Sequence, residues 1–331
     1  MKAESPSRIH FAVLLLIVAL ALSVATVTAQ VGHLGMRFVR VQQEKVHEQM
    51  LSGEAGSPWQ YRILADLILE PFIRWARDAG LPGPAAVVFI AFRFLQSVLI
   101  LITAGIFYRR LGLTDTANLL GLSVLTWGMS SALYNSDLSF SVFFDLAFFL
   151  LAGILILKRR YFWVALLMVP AALNRETSLL IPVMLASHGY LQRDSKPGAR
   201  RPLLAAAAGL AVYATIFFSL RIYYGRQEFL TADGYSPGIA LMMTNLTRAA
   251  TWQQLLIAFG IIPLLAALAY RRWPRSLRIL FWSVVPCWVA VHFAASLVAE
   301  TRLMLVPHAL VLIPGALFGM ASTEKATAER R

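Results

Sequence analysis

Four charged side chains stand where an unpartnered charge is poorly tolerated. Arg93, Asp145 and the adjacent Arg175 and Glu176 all lie inside long apolar stretches. At the middle of a membrane span, an unpaired charge costs about 2.5 to 3.5 kcal/mol on insertion scales. Two arginines, one aspartate and one glutamate sum to zero formal charge, which is what mutual neutralisation in a low dielectric requires. Such a cluster serves either as the floor of a polar binding cavity or as an ion-pair network locking helices together, and in both cases it faces away from lipid. A second group sits at the ends of apolar stretches: Asp137, and Glu300 with Arg302. Asp137 and Asp145 are eight residues apart, about 80° around a helix, so both can face one cavity. A third group lies in the connection before residue 84. There Trp59, Tyr61 and Arg62 set two rings beside a guanidinium suited to bidentate capture of a phosphate or pyrophosphate. His47, Glu48 and Glu54 precede them, and either carboxylate could deprotonate an acceptor hydroxyl. The plainer readings are interfacial aromatic anchors and solvated surface carboxylates.

The elements that must position these groups are membrane helices. Of 331 residues, 58% are hydrophobic and 14% charged, against about 25% charged in an ordinary globular chain. Apolar stretches of roughly 20 residues recur from Phe11 onward, leaving no room for a soluble domain. The net charge of +13 is spread over small clusters between these stretches and forms no basic face, which argues against nucleic acid as a partner. Cys287 is the single cysteine, so neither a disulfide framework nor a cysteine metal site is available.

Counting Lys and Arg in the connections makes every second one basic, with both termini cytoplasmic. Full spans are predicted near 10–29, 84–108, 113–133, 138–157, 203–222, 252–270, 279–299 and 303–320, making eight, with a cytoplasmic tail at 321–331. The first run also fits a cleavable signal; its length favours a retained helix. Basic clusters flank 161–190 on both sides, and each of its two apolar runs measures only about 18 to 22 Å as helix. A re-entrant hairpin with Asn174, Arg175 and Glu176 at its tip satisfies both constraints, and two tilted spans are the alternative. Connection 30–83 faces outside. Its Arg62, Asp66, Glu70 and Arg74 recur every four residues opposite Ile63, Leu64, Leu67, Ile68, Phe72 and Trp75, which predicts an amphipathic helix on the outer membrane surface. Asn245-Leu246-Thr247 is a weak glycosylation sequon.

This arrangement resembles the GT-C fold of polyprenyl-phosphate-sugar glycosyltransferases, especially small bacterial members without a soluble domain. The resemblance rests on SPWQYRIL at 57–64, DLSFSVFFD at 137–145, NRETSLLIP at 174–182 and ETRLMLVP at 300–307, in that order and membrane placement. It implies an all-α, single-domain membrane bundle in the bacterial inner membrane. It also implies a polyprenyl-phosphate-linked sugar donor entering from the outer leaflet, and a glycan or protein acceptor. Carried over by motif, the resemblance implicates Arg62, Asp137, Arg175, Glu176, Glu300 and Arg302 as cavity residues; Tyr61 beside Arg62, and Arg93 and Asp145 from their depth and charge, complete the set. No acidic pair stands in the first outer loop, which leaves Glu48, Glu54 or Asp66 as base, with Asp137 as a further catalytic carboxylate. The resemblance permits a divalent metal without indicating one. The rival readings are a transporter or lipid flippase using the intramembrane charges, and a noncatalytic membrane assembly protein.

Overall fold

A computed structural model describes residues 6–134, 139–191, 200–228 and 236–328. The fold is all-helical, with 85% of residues in helix and no strand among those described. Thirteen helices are numbered here in chain order. They are α1 (Pro6–Leu34), α2 (Glu44–Ser52), α3 (Leu64–Asp78), α4 (Pro84–Leu111), α5 (Asp115–Ser131), α6 (Phe140–Leu157), α7 (Tyr161–Asn174), α8 (Leu180–Leu191), α9 (Arg200–Tyr224), α10 (Ile239–Thr247), α11 (Ala249–Phe259), α12 (Ile262–Leu268) and α13 (Arg275–Ala295). A terminal helix over Thr301–Met320 follows, and helical backbone continues to Ala328.

Six of these are long and apolar enough to cross a membrane: α1, α4, α6, α9, α13 and the terminal helix. The chain is thus an integral membrane protein by length and composition of its helices. Segment 252–270 is not one straight rod; α11 and α12 meet at a 77° bend, where Gly260 adopts φ +54 and Pro263 sits in the first turn of α12. The 113–133 segment forms the 17-residue α5. Its start is fixed by Gly112 at φ +101 and by the Thr114 hydroxyl, which accepts from Ala117 N–H at 3.3 Å.

Contacts sort the element ends into two levels. At one level the Arg109 guanidinium stacks 3.9 Å from the Phe11 ring, Arg109 pairs with Asp115 at 3.6 Å, and Arg272 donates to Gly319 O at 2.8 Å. Arg275 donates to Leu191 O at the same level. At the other, Gln30 donates to Met129 O at 3.0 Å, Ser57 N–H to Glu228 O at 2.7 Å, and Gly238 N–H to Ala294 O at 2.7 Å. The helix α5 therefore runs between the same two levels as α1.

At the centre stand α6 and the terminal helix, 83% and 78% buried, whereas α9 is only 22% buried. Lipid offers no hydrophobic drive between helices, so close approach at small residues holds such a bundle together. Trp273 shows this: its indole donates to Gly315 O at 3.1 Å, and a Cβ at 315 would lie 2.5 Å from that ring.

Between 161 and 191 the chain makes a broken helical pair. The 14 residues of α7 amount to about 21 Å. Arg175 is then fully extended (φ −158, ψ 155), and a 3-10 turn over Glu176–Leu179 leads into α8. His188, near the end of α8, is within electrostatic range of Arg159, just ahead of α7, and Gly189 abuts Pro202 at the start of α9. Both arms thus end at the Arg109 level, with the 174–179 tip at the far end of each.

The sequon residue Asn245 is fully buried. Its amide donates to Phe293 O and Ser296 O and its carbonyl accepts from Val298 N–H, so it fastens the turn after α13 and presents no face for modification.

Candidate functional site

The polar heart of the molecule forms where the 174–179 tip meets α6. Asp145, only 1% exposed, accepts from Asn174 Nδ2 at 2.9 Å and from the Thr177 hydroxyl. Its Oδ2 lies 3.5 Å from Arg175 Nε. Asn174 also donates to Ser141 O at 2.8 Å, and the Ser178 hydroxyl donates to Arg175 O at 2.8 Å. Ser178 thus adds a bond to a backbone carbonyl at the break itself, and Asn174 ties the break to the first turn of α6.

Glu176 turns the opposite way. Its Oε2 accepts from Arg62 Nε, and Arg62 Nη2 approaches it as well, both at 3.1 Å. Its Oε1 lies 3.7 Å from Arg221 Nη2. Arg62 in turn lies over the Trp59 ring at 5.1 Å, and Arg221 over Tyr61 at 4.4 Å and Phe217 at 3.4 Å. The Tyr61 hydroxyl donates to Gly225 O at 2.9 Å, tying the 57–62 segment to the end of α9.

Glu300 and the buried Arg302 pair at 2.7 Å within one 3-10 turn, and the charges of Arg62 and Arg302 both reach Arg175. Arg93 stacks on Phe140 at 4.5 Å and Phe143 at 5.4 Å. Four arginines (62, 175, 221, 302) thus converge on three carboxylates (145, 176, 300), and Asp66, which shares a cavity wall with Arg62, is a fourth. Of the four deep residues singled out in the sequence, Asp145, Arg175 and Glu176 join one network through Arg62. Arg93 takes its place behind Phe140.

Beside Arg62 a cavity of about 60 Å³ opens, walled by His47, Trp59, Asp66, Phe89, Phe140 and Ser141 among others. That is room for several waters or one small anionic group. Asp66 is held from behind: its Oδ1 meets His47 Nδ1 at 2.7 Å, while His47 Nε2 meets Glu70 Oε2 at 3.0 Å and Glu70 Oε1 pairs with Arg74 at 2.6 Å. No hydrogen bond from a described residue occupies Asp66 Oδ2.

With a carboxylate at each ring nitrogen, His47 is arranged to donate twice, as an imidazolium does. Burial opposes its charge, but the hydrogen bonds and negative charges of Asp66 and Glu70 outweigh that and raise its pKa above 6.5. For Glu70, burial likewise opposes the charged form, and Arg74 and His47 overcome it to lower the pKa.

The three carboxylates put forward as base therefore differ in place. Asp66 lines the cavity, whereas Glu48 and Glu54 are exposed and form none of its wall. Asp137 lies outside the described residues. His47, Glu70, Arg221, Asn174 and Thr177 join the site without having been assigned to it from sequence. Arg221 had a signal, an arginine in the last turn of an otherwise apolar helix, but that position also suits a side chain snorkelling to the interface. Among the described residues no three His, Cys, Asp or Glu side chains gather in a way that would hold a metal ion.

The helix α3 has three faces, not two. Leu64, Ala65, Leu69, Ile73 and Ala76 are buried against the bundle, Asp66 and Glu70 face His47, and Leu67, Phe72 and Trp75 stay exposed. The chain matches no protein-family model, no curated protein and no solved structure.

Proposed function

We propose that the protein is a membrane glycosyltransferase that moves a sugar from a polyprenyl-phosphate donor to a glycan or protein acceptor. One observation carries this reading. Arg175 is almost wholly buried, with its Nε in an ion pair with Asp145 at 3.5 Å, yet its Nη1 has no hydrogen-bond partner, and Arg62, Arg221 and Arg302 surround the same cluster. A buried donor left open at a cost of about 1 to 3 kcal/mol calls for an acceptor. A buried guanidinium with an open donor, beside a small cavity that Arg62 lines, suits a phosphate on a lipid.

Asp66 Oδ2 takes the proton of the acceptor hydroxyl. The acceptor oxygen bonds to the sugar C1, and the bond from C1 to the phosphate oxygen breaks. The departing phosphate carries the electron pair towards the arginines, which stabilise the charge as it develops. Inverted configuration at C1 follows from a single displacement.

A GT-C-like bundle of eight crossings belongs to this proposal. Six long helices, the bent α11–α12 pair and α5 together give that number, with α7–α8 as a re-entrant hairpin. The Arg109 level is the cytoplasmic side of a bacterial inner membrane, carrying both termini, and α2–α3 lies on the outer surface with Leu67, Phe72 and Trp75 in the interface.

The test uses the full chain in proteoliposomes with a panel of radiolabelled polyprenyl-phosphate hexoses and pentoses. Transfer by the wild type, lost in Asp66→Asn and Arg62→Gln proteins that insert normally, is expected. No transfer across the panel, or an Asp66→Asn protein as active as wild type, overturns the reading. The broken helical pair beside buried charges also favours a lipid flippase; movement of a fluorescent polyprenyl phosphate between leaflets without sugar transfer would select it.

A further inference from the structure

A second cavity lies at the opposite end of the bundle. Along the α1–α4 seam near the Arg109 level runs an open cleft of about 620 Å³, with Phe11, Leu16, Ile102 and Ile106 in its walls and Arg109 and Arg110 at its rim. The two helices touch closely along the floor of this cleft, since a Cβ at Gly105 would lie 2.5 Å from Leu15 Cδ1, and Leu15 is itself one of the lining residues.

We infer that this cleft binds an anionic phospholipid, its phosphate on Arg109 and Arg110 and an acyl chain along the walls.

The argument has three parts. Both helices are long enough to span, so their ends stand at headgroup depth and the cleft mouth opens on lipid. The walls are hydrocarbon, and Leu16 is 47% exposed; a free phosphate would leave them uncovered, whereas an acyl chain covers them. Among the described residues the rim sets two arginines against one carboxylate. Arg109 has a single half-exposed carboxylate, Asp115, at 3.6 Å, and its guanidinium is held in place over Phe11. Arg110 is exposed and makes no hydrogen bond or ion pair with a described residue. Basic residues between helix ends at a membrane surface are a recurring headgroup site, with each arginine contributing about 1 kcal/mol. A zwitterionic lipid would bring its own cation against them. The inference is independent of sugar transfer.

Native mass spectrometry and thermal melting of the full chain in neutral detergent test it, with phosphatidylglycerol and phosphatidylcholine of identical acyl chains as probes. Phosphatidylglycerol should be retained in preference and should raise the melting temperature. Arg110→Gln, which removes no intramolecular contact, should weaken retention about fivefold, and adding Arg109→Gln should weaken it further. Arg201→Gln, an exposed arginine at the start of α9, should leave it unchanged. Equal retention of the two lipids overturns the inference, as does an equal effect of Arg201→Gln and Arg110→Gln. Inorganic phosphate alone reproducing the stabilisation would do the same.

Discussion

Asp145 and Asp66 make an instructive pair. Asp66 shares a cavity wall with Arg62, whereas Asp145 is sealed inside the bundle with three protein partners, Asn174, Thr177 and Arg175. Asp66 keeps one oxygen bound to His47 and leaves the other towards a cavity. A carboxylate whose two oxygens are both engaged by the fold in a sealed site stabilises architecture and offers no open face to a substrate. One anchored through a single oxygen is oriented and still reactive. Under the proposed function, burial depth separates the part of the charged network that builds the site from the part that works in it.

The largest effect should come from the sealed side. Asp145→Ala strands a buried Arg175 guanidinium, with an expected loss of about 3 to 5 kcal/mol; melting in detergent and yield of inserted protein measure it. An Asp145→Ala protein as stable as wild type would erase the distinction drawn above. Next, Asp66→Asn should cut sugar transfer about 10²- to 10⁴-fold while leaving the melting temperature within a few degrees of wild type, so the two aspartates should separate cleanly in paired activity and stability assays.

A smaller effect is tied to pH. His47 has a raised pKa, so the stability it contributes is complete below its ordinary value of 6.5 and is lost as pH rises through the higher folded value. The lowered pKa of Glu70 gives the opposite limb: its contribution is complete above 4.5 and is lost as pH falls through the folded value. The α2–α3 connection should therefore be firmest between 4.5 and 6.5. Hydrogen exchange of α2 and α3 measured across pH 4 to 9 should show that window in wild type and lose its alkaline limb in His47→Gln. Smallest of all, Glu48→Gln and Glu54→Gln should leave transfer unchanged and stability within about 0.5 kcal/mol, as exposed side chains without partners do. A rate loss at either would move the base away from Asp66.

Amino-acid types along the chain determine a great deal here without any tertiary information. Runs of apolar residues dictate helices, because only internally bonded backbone survives in lipid, and both the membrane character and the break at Asn174–Arg175 follow from that. So does the depth of Asp145 and Arg175, since a charge in such a run needs a partner. Which partner it finds is another matter. Glu176 pairs with Arg62 and Arg221, 114 and 45 positions away, and neither separation leaves a trace in local periodicity. The four-residue repeat of Arg62, Asp66, Glu70 and Arg74 marks a polar face, yet only packing of α2 on α3 brings His47 between Asp66 and Glu70, and only packing against α4 decides that Ala65, Leu69 and Ile73 are the buried side. Helical period fixes which residues share a face; the neighbour that face meets depends on how distant helices cross, and that is set by close contacts such as Gly105 on Leu15 and Gly315 on Trp273, which exist only once the bundle has assembled.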